Sequence, residues 1–248
     1  MFKKITHALV IGGMVAASPL ANAASHSGGG SNWEASANVG FVTDYAFRGI
    51  SQNDESPAIQ GGFDFSHKSG FYVGTWASNI EQVDLDTGNN STNIEIDGYL
   101  GFGGEFKNGL SWDIGYLYYW YPDATQLDYG EVYGSLGYDF GPAALTVGVA
   151  YSDDFFGETG DATYYYGDLE IPLPKDFSVT LHVGHQDIDE NTNFGTPDYD
   201  EYSITLAKSF KGFDFSLAYK DTDLSDNECF GGTEYCDAKF IAGVSRSF

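Results

Sequence analysis

The feature that most constrains the fold is a short alternating stretch that recurs along the chain from Trp33 onward. Each stretch has roughly ten residues in which apolar and polar side chains alternate, and a turn or a polar loop follows it. In the clearest case, from Leu110 to Tyr121, one face carries leucine, isoleucine and aromatic side chains, and the other begins with Ser111 and Asp113. Because successive side chains of a β-strand point to opposite faces, the pattern predicts a series of strands with one apolar face each.

The connections between these stretches alternate in length. Short turns are expected at His67–Gly70, Lys107–Gly109, Gly141–Ala143, Pro174–Asp176 and Lys211–Gly212. Longer polar segments are expected at Ser51–Ser56, Glu81–Thr92, Pro122–Leu127, Asp153–Asp161, Asp187–Tyr199 and Asp223–Asp237. Short periplasmic turns that alternate with longer external loops are typical of transmembrane barrels. We therefore predict an all-β protein, a closed antiparallel transmembrane β-barrel of about twelve strands over residues 33–248, with both chain ends on the periplasmic side.

A soluble antiparallel barrel or sandwich is the alternative, since it also shows alternation and hairpins. It would turn the apolar face inward, and one face of these side chains does not fill the lumen of a barrel of about twelve strands. Aromatic residues make up 17% of the chain and cluster near strand ends, as in Tyr116–Tyr121 and Tyr164–Tyr166. Aromatic rings at both ends of an apolar band are typical of membrane interfaces and favour the transmembrane barrel.

Residues 1–23 have the pattern of a secretory signal peptide. A basic start and the apolar run Ala8–Ala17 precede an A-x-A cleavage site that ends at Ala23. We expect cleavage after Ala23, a flexible polar segment over residues 24–32, and export to the outer membrane of a Gram-negative bacterium. Outer-membrane lipids and lipopolysaccharide would then be partners of the barrel.

The last strand, Ala238–Phe248, ends in an aromatic residue. Phe240, Val244 and Phe248 share its apolar face, as in the carboxy-terminal signal that the barrel-assembly machinery of the outer membrane reads. Arg246 stands where that signal usually has an apolar side chain, and its long stem would let the charge reach the interface. We therefore expect the barrel-assembly machinery to be a partner of this chain.

The amino-terminal part of the barrel carries a family resemblance. It reads F-V-T-D-Y-A-F-R-G-I-S-Q over Phe41–Gln52, P-A-I-Q-G-G-F-D-F over Pro57–Phe65 and G-F-Y-V-G-T-W-A-S-N over Gly70–Asn79. These stretches closely resemble the TorF-type porins, a family of outer-membrane proteins of Gram-negative bacteria. The resemblance covers the mature chain in length and strand plan. It implies a barrel of porin type and implies no known substrate.

Six residues of the first three strands are expected to form one patch in the lumen: Asp44, Arg48, Gln60, Asp64, Tyr72 and Trp76. If the apolar phase of the first strand continues to Phe47, matching of the faces sets Arg48 opposite Gln60. The same register sets Asp44 opposite Asp64. Two interpretations stay open: a constriction that contacts solutes, or an internal network in which Arg48 neutralises two carboxylates and stiffens the wall.

The rest of the polar face is strongly acidic. Its acids are Glu95, Asp97, Glu105, Asp113, Glu131, Asp139, Asp168, Glu170 and Asp214. Rings of carboxylates favour cations in a water-filled pore, although salt screens solvated charges beyond a Debye length. We expect small hydrophilic solutes or cations to be the partners of the lumen, with a mild preference for cations.

The charge balance and the cysteines narrow the remaining possibilities. The chain has 36 acidic and 11 basic residues and a formal net charge of −25, which argues against nucleic acid as a partner, because phosphate binding needs clustered Lys and Arg. Cys229 and Cys236 predict a disulfide in an exported protein. A metal site is the alternative for this pair, but no His lies nearby to complete it. We expect no metal ion and no cofactor.

These features predict a porin-like channel for passive diffusion of small hydrophilic solutes. A non-conducting barrel that acts as a structural protein, or as a receptor or adhesin through its acidic loops, is the alternative. An enzyme is not expected, because no G-x-S-x-G motif appears and the few histidines have no matching nucleophile.

Overall fold

The computed structural model describes residues 32–83, 90–122 and 124–248. The expected signal peptide and residues 24–31 of the expected polar segment lie outside this part of the chain. No helix within the described residues is long and apolar enough to span a membrane.

Within the described residues the chain forms fourteen β-strands. They are β1 (Trp33–Val42), β2 (Ala46–Phe47), β3 (Ile50–Ser51), β4 (Ala58–His67), β5 (Phe71–Val83), β6 (Asn90–Glu105), β7 (Leu110–Trp120), β8 (Tyr129–Asp139), β9 (Ala144–Ser152), β10 (Ala162–Leu173), β11 (Phe177–Ile188), β12 (Tyr199–Phe210), β13 (Phe213–Thr222) and β14 (Lys239–Ser247). A 3₁₀ turn (Thr125–Leu127) and a short helix α1 (Asn191–Phe194) lie in two of the loops.

All of these strands except β2 and β3 close into one antiparallel barrel. Each barrel strand pairs with its neighbours along the chain, and β1 closes the ring by pairing with both β4 and β14. At this seam the Phe248 N–H donates a hydrogen bond to the Ala37 carbonyl at 2.8 Å. The prediction of a closed antiparallel barrel of about twelve strands is therefore confirmed.

The connections differ in length at the two ends of the barrel. Turns of two to four residues join the strands at the end that also holds Trp33 and Phe248, and longer connections lie at the opposite end. We call these the periplasmic and the external end, following the usual arrangement of transmembrane barrels. Two expected boundaries are corrected: β1 stops at Val42, so that residues 43–57 form the first external connection. The connection expected at Glu81–Thr92 is shorter, because β5 and β6 extend into it.

The outer face of the barrel is apolar and exposed. Ile59 on β4 is 66% exposed, Val183 on β11 is 62% exposed and Phe240 on β14 is 71% exposed. Water disfavours a continuous surface of this kind, which is larger than the apolar patches of soluble monomers, whereas lipid solvates it. The alternation predicted from the sequence therefore places its apolar face outward, as in transmembrane barrels.

The inner face combines tyrosines with glycines on neighbouring strands. A Cβ added at Gly115 on β7 would lie 2.4 Å from the Tyr133 hydroxyl oxygen, and one added at Gly101 on β6 would lie 2.4 Å from the Tyr72 hydroxyl oxygen. Only a residue without a side chain leaves room for a ring at these distances. The glycines thus let the tyrosines lie flat along the inner wall and reach polar partners one or two strands away.

Candidate functional site

The first external connection folds into a small hairpin. Residues 43–57 contain β2 and β3, which pair Ala46 with Ser51 and Phe47 with Ile50, so that Arg48 and Gly49 form a two-residue turn. Both turn residues have positive φ, 45° and 83°, as the central residues of type I′ hairpin turns do. We call residues 43–57 the inward hairpin, for the reason given next.

Residues 44–51 of the inward hairpin lie inside the barrel, and residues 54–57 at its base are exposed at the external end. The Tyr45 hydroxyl donates to Glu95 at 3.0 Å, and the Phe47 ring lies 5.7 Å from that of Tyr119. One connection can contact strands all around a closed barrel only if it enters the lumen. Its contacts in the described residues reach β5 at Trp76, β6 at Glu95, β7 at Tyr119, β8 at Glu131, β10 at Tyr164, β11 at Gln186 and β12 at Tyr199.

Arg48 at the tip of the hairpin is bound by the far wall. Its Nη2 atom donates to both carboxylate oxygens of Glu131 at 2.8 Å, and its Nη1 atom donates to the Gln186 Oε1 atom at 2.7 Å. The guanidinium carbon lies 4.1 Å from the centroid of the Tyr164 ring, and the Tyr199 hydroxyl donates to the Arg48 carbonyl at 3.1 Å. Arg48 is 2% exposed, so this ion pair is buried and charge-assisted.

The titration of two hairpin groups follows from their surroundings. Burial disfavours the Arg48 charge, but the Glu131 carboxylate more than offsets this and raises the pKa of the guanidinium, which therefore stays charged. Burial raises the pKa of Asp44, while a hydrogen bond from Ser51 at 2.8 Å and the more distant Lys239 ammonium lower it. The base of the hairpin and its tip are thus each fixed by a polar contact.

Aromatic side chains from three external loops cover the inward hairpin. We call them the external cap: Phe155, Phe156, Phe194 and Phe230. The Phe194 ring centroid lies 5.5 Å from that of Phe155 and 5.5 Å from that of Phe230. Phe155 also lies 4.9 Å from the Tyr129 ring of the wall. The loop that carries Phe230 is closed by the Cys229–Cys236 disulfide, which confirms the bond predicted from the sequence.

Several carboxylates along the lumen wall are held by tyrosine or histidine side chains. The Tyr72 hydroxyl donates to Asp113 at 2.7 Å and lies 2.6 Å from the Tyr133 hydroxyl. On the opposite wall His182 Nδ1 lies 2.7 Å from Asp168, and Tyr164 donates to Glu201 at 2.6 Å. Tyr99 donates a hydrogen bond to Asp64. These contacts hold the rings and the carboxylates in place on the lumen wall.

The periplasmic half of the lumen has a different lining. Its inward positions carry small hydroxyl side chains that are only half-buried: Ser111, Ser135, Thr146, Thr180, Thr205 and Ser216. We call this lining the vestibule. Because these short side chains keep partial solvent exposure, water reaches the vestibule.

The six residues of the expected lumenal patch do not form one cluster. Arg48 pairs with Glu131 on the far wall, so the interpretation in which it neutralises two carboxylates of the patch, one of the two left open, is wrong. The expected register is also wrong, because Gln60 pairs with Gly40 and Asp64 with Ser36. The physical reason is that the chain leaves the wall after Val42, whereas the alternation continues to Phe47. Tyr45 and Phe47 therefore pack inside the lumen and not against lipid.

The other expected residues are placed as follows. Gln60 donates to Ser78, Trp76 packs on Tyr45, and Asp44 accepts from Ser51. Among the expected lumenal acids, four are buried and five are more accessible. The buried ones are Glu95, Asp97, Glu131 and Asp168, and the more accessible ones are Glu105, Asp113, Asp139, Glu170 and Asp214. Phe240 and Phe248 are exposed on the outer face, with Val244 half-buried beside them.

The inward hairpin was missed by the sequence interpretation. A signal for it was present in A-F-R-G-I-S over Ala46–Ser51, where Gly49 is suited to the second position of a two-residue turn. A Cβ at Gly49 would lie 2.5 Å from the Thr222 Cγ2 atom, so the turn also approaches the wall too closely for any other residue. The aromatic side chains in the later loops were a second signal, since solvated loops seldom carry them.

Together the described residues define a closed twelve-stranded β-barrel whose external half is filled by an inward hairpin and whose periplasmic half is a polar vestibule. The chain belongs to the Gcw_chp family, described as bacterial protein of unknown function, whose model matches residues 26–248. No curated protein matches the chain.

Two solved porin structures are similar to the chain. The NanC porin is similar, with 10% sequence identity and a TM-score of 0.55 over 87% of this chain and 99% of that chain. A structure of OmpF from Salmonella typhi in complex with daunomycin also matches, with 8% identity and a TM-score of 0.47 over 87% of this chain and 97% of that chain. At this identity the likeness to the NanC porin shows a common barrel architecture.

Proposed function

We propose that this chain is a porin-like channel in the outer membrane of a Gram-negative bacterium that passes small hydrophilic solutes. The observation that carries the proposal is the vestibule: half-buried hydroxyl side chains line a polar lumen inside a barrel with an apolar outer face. A polar lumen behind a lipid-facing wall is the arrangement that conducting barrels use. The resemblance of Phe41–Asn79 to the TorF-type porins is part of this proposal, as is assembly by the barrel-assembly machinery through Phe248.

The proposed channel prefers cations mildly. The accessible acids Glu105, Asp139, Glu170 and Asp214 surround the vestibule and its periplasmic mouth, and rings of carboxylates attract cations into a water-filled pore. A planar bilayer recording of the refolded mature protein in a potassium chloride gradient tests this preference. The expected reversal potential favours potassium, and a reversal potential that favours chloride would contradict the preference.

The conformation described here is a closed state of the proposed channel. The inward hairpin and the external cap fill the external half, so ions cross only when the hairpin leaves the far wall. Wild-type recordings should show long closed periods with brief openings. Replacing Arg48 by Ala removes the ion pair that binds the tip, and the open fraction of the recording should rise about tenfold or more, since the loss of a buried charged partner is worth over 1.4 kcal/mol.

The filled external half also favours a second candidate, a non-conducting barrel with a structural or receptor role. In such a protein the inward hairpin is a permanent part of the core. The bilayer recordings separate the two functions. Silence of both the wild type and the Arg48→Ala variant, with correctly refolded barrels, supports the second candidate and contradicts the channel.

A further inference from the structure

The acceptor groups that bind Arg48 all belong to the barrel wall. Glu131 lies on β8, Tyr164 on β10 and Gln186 on β11, and we call these three the guanidinium site. Contacts within the wall hold two of them in place. Glu131 accepts a hydrogen bond from the Tyr119 hydroxyl at 3.1 Å, and the Gln186 amide donates to the Asp187 carbonyl at 3.1 Å. Glu131 and Gln186 therefore have partners in the wall in addition to Arg48.

The chemistry of the guanidinium site is that of a binding site for a planar cation. A carboxylate accepts from a terminal nitrogen through both of its oxygens, an amide oxygen accepts from the other terminal nitrogen, and an aromatic ring lies 4.1 Å from the guanidinium carbon. Guanidinium groups are recognised by this combination of carboxylate and aromatic face. The Nε atom of Arg48 is buried without a hydrogen-bond partner among the described residues, so the site uses the terminal part of the group.

The hairpin holds Arg48 in an unfavourable backbone conformation. Its φ of 45° lies in the left-handed region, which costs free energy for a residue with a side chain. Asp54 and Glu55 in the same hairpin also have positive φ, 50° and 54°. A free solute with the same cationic group carries no such strain. That solute therefore competes for the site with Arg48, whose own binding is weakened by its unfavourable backbone conformation.

Opening without a replacement cation is also costly. With the hairpin in place Glu131 is 2% exposed and paired with Arg48, so the departure of Arg48 removes the charged partner of this carboxylate, which is unfavourable. A cation that enters the guanidinium site restores the partner. A ligand shifts the equilibrium between two states by the difference in its affinity for them. Because the guanidinium site is vacant for solutes only in the open state, a solute that binds there favours the open state over the closed one.

The guanidinium site adjoins wall residues that continue towards the vestibule. The Tyr164 ring covers the Arg48 guanidinium, and the Tyr164 hydroxyl lies 3.0 Å from His182. Asp168 and Glu201 both contact His182, and the half-buried Glu170 follows Asp168 on β10 towards the periplasmic end. These carboxylates attract a positively charged solute.

From this geometry we propose that Glu131, Gln186 and Tyr164 form a binding site for solutes that carry a guanidinium group, and that such solutes open the channel by displacing Arg48. This inference rests on the proposed channel function and names both its substrate class and its opener. Arg48 is then the built-in occupant that keeps the external half closed when the solute is absent.

Bilayer recordings with matched solutes test the opening step. Methylguanidinium is the probe, and methylurea is a neutral control of similar size and planarity. Methylguanidinium should raise the open fraction of the wild type about tenfold, as a differential affinity of 1.4 kcal/mol provides, and methylurea should leave it unchanged. Glu131→Gln should abolish the response, because the amide does not supply the charge. Equal effects of the two solutes, or a full response in Glu131→Gln, would overturn the inference.

A binding measurement keeps the inference separate from the proposed channel. Isothermal titration in detergent should show methylguanidinium binding to one site of Arg48→Ala, much weaker binding to the wild type, and none to Arg48→Ala/Glu131→Gln. If Arg48→Ala does not refold, Arg48→Gln provides the same comparison, since the neutral glutamine side chain leaves Glu131 without a cationic partner. Methylguanidinium binding without any current in the bilayer would refute the channel and the opening step, but the guanidinium site would stand. Conductance without methylguanidinium binding would refute the guanidinium site, but the channel would stand.

Discussion

The two halves of the lumen are built from the same strands but differ in how tightly they are packed. In the external half, long side chains such as Tyr119, Glu131 and Tyr164 are almost fully buried against the inward hairpin. In the periplasmic half, positions such as Ser135 and Thr180 carry short side chains that stay half-buried. The alternation that places one face towards lipid is common to both halves. What differs is the inward hairpin, which covers large and small inward residues alike in the external half, Ser78 and Ser152 included.

The comparison shows that inward-facing residues of one barrel can pack against an entering loop or face water. In the external half the inward residues, large and small, form a second hydrophobic and polar core together with the hairpin that enters the lumen. In the periplasmic half short inward residues such as Thr146 and Thr205 stay half-buried. The stability of this protein should therefore be concentrated in the external half, and substitutions there should have much larger effects than equivalent ones in the vestibule.

The largest effect is expected for Glu131→Gln in the external half. Removing one partner of a buried ion pair leaves the Arg48 charge uncompensated and should lower the free energy of unfolding by about 3 kcal/mol. Urea unfolding in lipid vesicles measures it. Asp214→Asn removes an acid from the exposed periplasmic rim of the lumen and is the matched control, with an expected change within about 0.5 kcal/mol. Equal losses in the two variants would remove the contrast between the halves.

Gly49→Ala and Gly212→Ala compare two glycines with similar positive φ, 83° and 79°. A Cβ at Gly49 would also meet Thr222 at 2.5 Å, whereas nothing lies within 4 Å of a Cβ at Gly212. Both variants carry the backbone cost of about 1 kcal/mol, and only Gly49→Ala adds a clash of roughly 1–2 kcal/mol. Proteolysis of the hairpin by an external protease should therefore increase in Gly49→Ala alone. Similar cleavage of both variants would show that the hairpin is not packed against β13.

The disulfide should have an intermediate effect confined to the external end. Closing a short loop between Cys229 and Cys236 restricts the unfolded chain and is worth about 2 kcal/mol. The double variant Cys229→Ser/Cys236→Ser should loosen the loop that carries Phe230 of the external cap. Hydrogen exchange should become faster in residues 223–238 and in the inward hairpin, while β11 keeps its protection at the vestibule. Unchanged exchange in the hairpin would mean that the cap does not hold it.

The smallest effect is expected in the vestibule. Thr205→Ala shortens a half-buried side chain that faces water, and its free energy of unfolding should change by less than about 0.5 kcal/mol. A loss above 1.5 kcal/mol in the same urea assay would indicate a packed periplasmic half and would end the distinction between filled and open lumen.

The barrel was predictable from the sequence because alternation and connection length are local signals. Residues such as Leu110, Ile114 and Trp120 reveal their common face without knowledge of any partner strand. The number of strands and the common end of both termini follow from the same repeat. The disulfide was predictable for a similar reason, since Cys229 and Cys236 are close in sequence.

The candidate site was predictable only in part. Alternation continues through Tyr45 and Phe47, and a period of two does not distinguish an aromatic ring against lipid from one inside a filled lumen. Arg48 was recognised as lumenal, but its partners Glu131 and Gln186 are 83 and 138 residues away along the chain. Such pairs depend on the closure of the barrel and on where the chain leaves the wall, which no local pattern encodes.

Thiol labelling of single cysteines tests the closed external half most directly. The cysteines of the described chain are joined in a disulfide, so Thr180→Cys in the vestibule and Asp54→Cys at the exposed external surface each add one free thiol. In vesicles with oriented barrels, a membrane-impermeant maleimide should label Thr180→Cys from the periplasmic side at least tenfold faster than from the external side, an effect that corresponds to a closed fraction of about 90%. Asp54→Cys should react from the external side. Equal labelling of Thr180→Cys from both sides would contradict the account.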